Sequence, residues 1–114
     1  MNLSLLGGAT NAEALIDAAL EEGVKVFETS GINPEPYMKR MKDGGARVIH
    51  KTPAVRFARK VQDIGVDAVA IIGQGAGGHL GMDLVSSMVL IPAAVDTLSL
   101  DFPYQTGCIG IFLW

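Results

Sequence analysis

The sequence contains only one cysteine, Cys108, among its 114 residues. A single thiol cannot form an internal disulfide, so we expect a reducing compartment and a cytoplasmic protein. No apolar run approaches the ~20 residues of a membrane-spanning helix, and the first residues lack the pattern of a signal peptide. The net charge is −3 without a basic run, so we expect neither nucleic acid nor a membrane as a partner.

Hydrophobic residues, by contrast, make up 49% of the chain, which predicts one small domain with a buried core. Strand and helix patterns alternate four times along it. This alternation predicts a parallel sheet with right-handed crossovers. The predicted strands are residues 2–6, 24–27, 47–51 and 68–72; the predicted helices are 12–20, 34–43, 53–64 and 84–96; residues 28–33 form a polar turn.

A glycine-rich segment, residues 73–83, follows the last predicted strand and contains one titratable side chain, His79. Ligand sites of parallel sheets lie at the carboxyl ends of the strands. His79 is therefore a candidate general base, with glycine main chain beside it to hold an anion or a flavin. The alternative is a flexible loop with a solvated histidine.

Two other functions for this segment find less support. Gly73, Gly75 and Gly78 match the dinucleotide pattern G-x-G-x-x-G, but residues 79–81 delay the helix that this motif requires. A metal site at His79 would need further ligands at suitable spacing. His50 is the only other histidine, and there is no cluster of cysteine and histidine, so we expect no metal.

Two side chains at predicted strand ends are further candidates for ligand binding. Lys51 either extends into solvent or supplies a cation to a cofactor phosphate or a reduced ring. Thr29 either caps its strand or donates its hydroxyl to a ligand. Both lie at the edge of the sheet where the glycine-rich segment begins.

Five segments together resemble the nitronate monooxygenase family, formerly called 2-nitropropane dioxygenases. They read VKVFETSGINPEPY from residue 24, RVIHK from 47, GVDAV from 65, AGGHLG from 76 and LIPAAVD from 90. The resemblance covers residues 2–98. Its most specific parts are the Ala-Gly-Gly-His element ending at His79 and the His50–Lys51 strand end.

The resemblance implies a TIM-type barrel that binds FMN non-covalently at the carboxyl ends of its strands. His79 would deprotonate a nitroalkane or position a nitronate, and reaction with oxygen would give a carbonyl compound and nitrite. The main chain of Ala76, Gly77 and Gly78 would approach the flavin, while Thr29 and Lys51 would contact FMN.

Four strand–helix units amount to about half of an eight-unit barrel. We therefore expect a partial FMN-binding barrel domain over residues 1–98 and an irregular tail over residues 99–114 that does not resemble the family. Two open sheet edges and an uncovered apolar inner face would favour self-association and weaken FMN binding. The alternative functions are a related FMN-dependent enoyl reductase, which shares the Ala-Gly-Gly-His element, and a non-catalytic half-barrel.

Overall fold

The computed structural model describes residues 1–5, 11–74 and 85–98. Strands and helices alternate throughout these ranges, and none of the helices is long and apolar enough to cross a membrane. The elements are β1 (Asn2–Ser4), α1 (Ala12–Glu21), β2 (Val26–Ser30), α2 (Glu35–Asp43), β3 (Arg47–Thr52), α3 (Val55–Asp63), β4 (Ala68–Ile71) and α4 (Ser87–Thr97).

The four strands form one parallel sheet in the order β1-β2-β3-β4. A doubly wound sheet reverses its strand order partway, whereas a barrel adds each new strand on the same side of the previous one. The sequential order therefore confirms the predicted fold class: parallel (β/α) units of a TIM-type barrel, four in number within the described residues.

One face of the sheet, which we call the packed face, is covered by all four helices. Alternate residues of β2 and β3 are buried there, including Phe27 and Val48, both with 0% exposure. They form a single hydrophobic core with helix residues such as Ile16, Met41 and Ala58. Burying each large apolar side chain contributes ~1.5–3 kcal/mol, so this face provides most of the stability.

The other face, which we call the open face, carries the intervening residues of the same strands. Apart from Ala70, which is buried, these residues are half-buried or exposed. The prediction of an apolar uncovered face is wrong for the described strands. Six of the side chains on it are polar; Asn2 and Arg47 lie near the amino ends of their strands, and the other four are Ser4, Glu28, Ser30 and Lys51. We call these four residues the open-face cluster.

The structure also corrects three predicted boundaries. Residues 28–30 were expected in a polar turn but belong to β2, because they pair with β1 on one side and β3 on the other. Thr52 extends β3 rather than capping α3, which begins at Val55. Helix α4 begins at Ser87 instead of residue 84, because the Ser86 hydroxyl accepts a hydrogen bond from the Met88 amide at 3.3 Å.

Candidate functional site at the carboxyl end of the sheet

Lys51 lies one residue before the end of β3, on the open face. Its ammonium nitrogen is 2.9 Å from Oε1 of Glu28, on the neighbouring strand. In the sheet register Lys51 lies beside Ser30 and Glu28 beside Ile49, so the two charged groups meet diagonally across the strand pair. Each side chain is about one-quarter exposed, 25% for Lys51 and 24% for Glu28, so water screens this ion pair only partly.

Glu28 Oε1 is shielded from water and accepts no hydrogen bond from the described residues. Its contact with the Lys51 ammonium at 2.9 Å is an ion pair, so the charge of Lys51 compensates the burial of this oxygen. The open-face cluster therefore offers a cation whose position a carboxylate fixes.

Thr29 lies on the packed face and is completely buried, unlike its neighbours Glu28 and Ser30. Its hydroxyl is 2.9 Å from Nδ1 of His50 and 3.4 Å from the carbonyl oxygen of Ile49. The hydroxyl has one proton, so it donates either to this carbonyl, while accepting from the imidazole, or to the ring. This contact joins β2 to β3 inside the core.

His50 is buried on the packed face beside Thr29, with 4% exposure. Burial disfavours the charged imidazolium and lowers the pKa of His50 from 6.5 to about 4. The ring is therefore neutral at pH 7, and its contact with Thr29 serves the packing of the two strands.

The base of the glycine-rich segment lies next to the end of β3. The Ile72 amide donates to the Thr52 carbonyl at 3.0 Å, and the Gln74 amide donates to the Val85 carbonyl at 2.9 Å. A Cβ added at Gly73 would lie 2.4 Å from the amide nitrogen of Ser87. Glycine is required here because any side chain would collide with the main chain that leads into α4.

The structure brings some of the predicted site residues to one edge of the sheet but separates others by face. Lys51 is on the open face, whereas Thr29 points into the core, so Thr29 could reach a ligand on the open face only through its main chain. Both assignments stay predictions. The other predicted residues, His79 and the Ala76–Gly77–Gly78 main chain, lie outside the described residues, as does the tail 99–114.

The sequence prediction placed Glu28 and Ser30 in the polar turn with Thr29 but named only Thr29 of the three as a cofactor-binding residue. The signal that could have identified Glu28 was the alternation of residues 26–30, which places Val26, Glu28 and Ser30 on one face. The described residues contain no group of three side chains that could hold a metal ion.

Comparison with known proteins finds relatives of this chain. The chain is 36% identical over 102 residues to a "Probable nitronate monooxygenase" of Bacillus subtilis, matching 82% of this chain and 29% of that protein. It is 30% identical over 97 residues to a hydroxy-methyl-oxo-octahydro-indene-carboxyl-CoA dehydrogenase of Mycobacterium tuberculosis, matching 85% of this chain and 27% of that one.

Among solved structures, FabK from Thermotoga maritima superposes with a TM-score of 0.77 at 31% identity, covering 86% of this chain and 30% of FabK. The chain thus spans less than a third of the length of each of these proteins. The family model described as "Nitronate monooxygenase" matches residues 6–106. The chain therefore belongs to the nitronate monooxygenase family.

Proposed function

We propose that this chain supplies part of the FMN site of an oxidoreductase that converts nitronates to carbonyl compounds and nitrite with oxygen. The observation that supports this most is the Lys51–Glu28 pair on the open face. It lies at the carboxyl ends of β2 and β3, beside the base of the segment that contains His79. Parallel sheets of this class bind their ligands at this edge.

The open-face cluster fits FMN chemically. The FMN ring system carries carbonyl and ring-nitrogen acceptors as well as one N–H donor, and its side chain ends in a phosphate. Lys51 can donate to the acceptors or pair with the phosphate, while Glu28 holds its ammonium group in place at 2.9 Å. Bound FMN would supply the redox chemistry, accepting electrons from the nitronate before oxygen reacts.

In this proposal the chain's own residues bind FMN and handle one proton. His79 takes a proton from the carbon next to the nitro group of a neutral nitroalkane, or orients a nitronate that is already anionic. A neutral imidazole near pH 7 can act as such a base. Ala76, Gly77 and Gly78 leave room for main-chain contact with the flavin, because glycine and alanine place little or no side chain in the way.

A titration of the purified protein with FMN, followed by flavin fluorescence, tests this function. We expect saturable binding that is weakened in Lys51→Ala and retained in His79→Ala. Nitrite release from a nitronate should be lost in His79→Ala. If the unaltered chain binds no FMN at any reachable concentration, the proposed function is wrong for this chain.

A related FMN-dependent enoyl reductase is the second candidate, because the similar proteins include FabK and a dehydrogenase of a CoA thioester. Nitrite formation from a nitronate and oxidation of NAD(P)H by a crotonyl thioester distinguish the two activities. If the protein oxidises NAD(P)H with a crotonyl thioester and forms no nitrite, the enoyl reductase replaces the nitronate monooxygenase as the proposed function.

A non-catalytic half-barrel that assembles with a second copy is the third candidate. Within residues 1–5, 11–74 and 85–98, β1 pairs only with β2 and β4 only with β3. Exposed apolar side chains also concentrate in the first and last units, at Leu15 of α1 and at Met88, Val89 and Val95 of α4. In a closed barrel of two copies, α4 of one copy would lie beside α1 of the other.

Light scattering coupled to size exclusion tests this candidate. We expect a dimer that dissociates in a Leu15→Glu, Val95→Glu double variant, with Glu21→Gln on α1 as the matched control. A monodisperse monomer of the unaltered chain would rule out assembly with a second copy.

A further inference from the structure

We infer that the exposed apolar side of α4 binds residues 109–114 of the same chain. These residues lie outside the described part of the chain and beyond residues 6–106, which the family model matches. The inference therefore concerns a surface and a segment that the FMN site does not use, and it holds or fails independently of flavin binding.

Helix α4 exposes apolar side chains along one side. Met88 is 77% exposed, Val89 59% and Val95 50%, and Pro92 among them is exposed as well. Met88, Pro92 and Val95 follow the spacing i, i+4, i+7, so they lie along the same side of the helix. Asp96 is the only charged residue of α4. An exposed apolar patch of this kind is typical of a contact surface.

The other three helices of the described chain expose charged residues instead. These residues are Glu13 and Glu21 of α1, Lys39 and Asp43 of α2, and Arg56 and Arg59 of α3. Charged side chains keep the outer side of a helix in favourable contact with water. The outer side of α4 differs from the others in this respect, so α4 is the helix that gains most from being covered.

The segment 109–114 has the composition that such a surface requires. It reads Ile-Gly-Ile-Phe-Leu-Trp and contains no charged residue. Its apolar side chains lose contact with water when they pack against other apolar side chains, which is favourable. Methionine sulfur also packs well against aromatic rings, and the segment offers Phe112 and Trp114 as partners for Met88.

The connection between α4 and the segment is long enough for this contact. Helix α4 has 11 residues and therefore spans about 16 Å. The residues 99–108 can span up to about 33 Å when extended, so the segment can return along the whole helix. A short connection also keeps the segment near α4 at an effective concentration on the order of millimolar, which a second copy in dilute solution does not reach.

The fluorescence of Trp114 tests the inference, because Trp114 is the only tryptophan of the chain. Without added FMN, we expect emission at a shorter wavelength and weaker quenching by acrylamide than in the urea-unfolded chain. The double variant Met88→Lys, Val95→Lys should shift the emission to longer wavelength and increase the quenching, because buried charges are unfavourable beside an apolar segment. Trp114 emission that matches the unfolded chain in the unaltered protein would overturn the inference.

Leu15→Lys is the matched control, because Leu15 is an exposed apolar residue of α1, with 46% exposure. This variant should leave the emission of Trp114 unchanged. An equal shift in Leu15→Lys would show that the effect is not specific to α4 and would overturn the inference. Thermal unfolding of each variant checks that the fold is retained, as expected for substitutions at exposed positions.

Two further outcomes would identify a different contact for Trp114. A contact within one chain does not depend on protein concentration, whereas a contact with a second copy is lost on dilution. Emission that shifts to longer wavelength on dilution would therefore overturn the inference in favour of a second copy. Emission that stays at short wavelength in the α4 double variant would show that Trp114 packs on another surface, and the inference would be wrong.

Discussion

The two faces of the sheet differ in chemistry although the same strands build both. Along β2, Phe27 and Thr29 are fully buried among the helices, while Glu28 and Ser30, the residue after each of them, lie on the open face, which none of the described helices covers. On β3, His50 is buried next to the half-buried Lys51. Neighbouring residues of one strand therefore differ in role: one stabilises the fold on the packed face, and the next can contact a ligand on the open face.

The largest effect on stability is expected at Phe27 on the packed face. Phe27→Ala should lower the free energy of unfolding by about 3–5 kcal/mol, because it removes a completely buried ring from the core. Its neighbour Val26, which is 46% exposed, provides the matched control, and Val26→Ala should cost less than about 1 kcal/mol. If urea denaturation shows that both variants lose the same free energy of unfolding, the two faces do not differ as described.

An intermediate effect is expected from the titration of His50. Its pKa is about 4 in the folded chain and 6.5 in the unfolded chain, so the unfolded state binds more protons between these values. Stability is therefore complete above pH 6.5 and falls as the pH decreases towards 4, by about 3 kcal/mol in total. Urea denaturation measured across this pH range checks the slope.

Replacement of the histidines provides the controls for this slope. His50→Gln should flatten it between pH 6.5 and 4, whereas replacement of the other histidine in His79→Gln should leave the contribution of His50 in place. A slope that persists unchanged in His50→Gln would contradict the assignment to the packed face.

The smallest effect on stability is expected on the open face. Lys51→Met and Glu28→Gln should each change the free energy of unfolding by less than about 1 kcal/mol, because partly exposed ion pairs contribute little. The same variants should have their main effect on flavin affinity. A loss of stability as large as that of Phe27→Ala would show that the pair holds the sheet together.

Much of the fold could be predicted from the sequence, because each strand and helix has its own local signal. The β-branched pair Val48–Ile49, the apolar run at residues 68–72 and the glycines that end the helices predicted the alternation, and Lys51 was correctly placed near the end of a strand. The error at residues 28–30 has a physical cause. Polar side chains suggested a turn, but hydrogen bonds to strands on both sides hold this main chain extended.

The contacts within the site depend on information that a single segment does not contain. Glu28 and Lys51 meet because β2 and β3 pair in one particular register, with Ser30 beside Lys51. Thr29 shows the same dependence: its hydroxyl was expected either to cap its strand or to donate to a ligand, and the register places it beside His50. Residue type suggested candidates for the site, and strand pairing decided which of them share a face.

The contact between Gln74 and Val85 has a consequence for how this protein can change. The Gln74 amide and the Val85 carbonyl are 2.9 Å apart, so the two ends of the segment that contains His79 are held together between β4 and α4. Replacements or insertions in this segment need not alter the distance between β4 and α4. Substitutions in the segment can therefore change its chemistry, while Gly73 and the packed face preserve the scaffold.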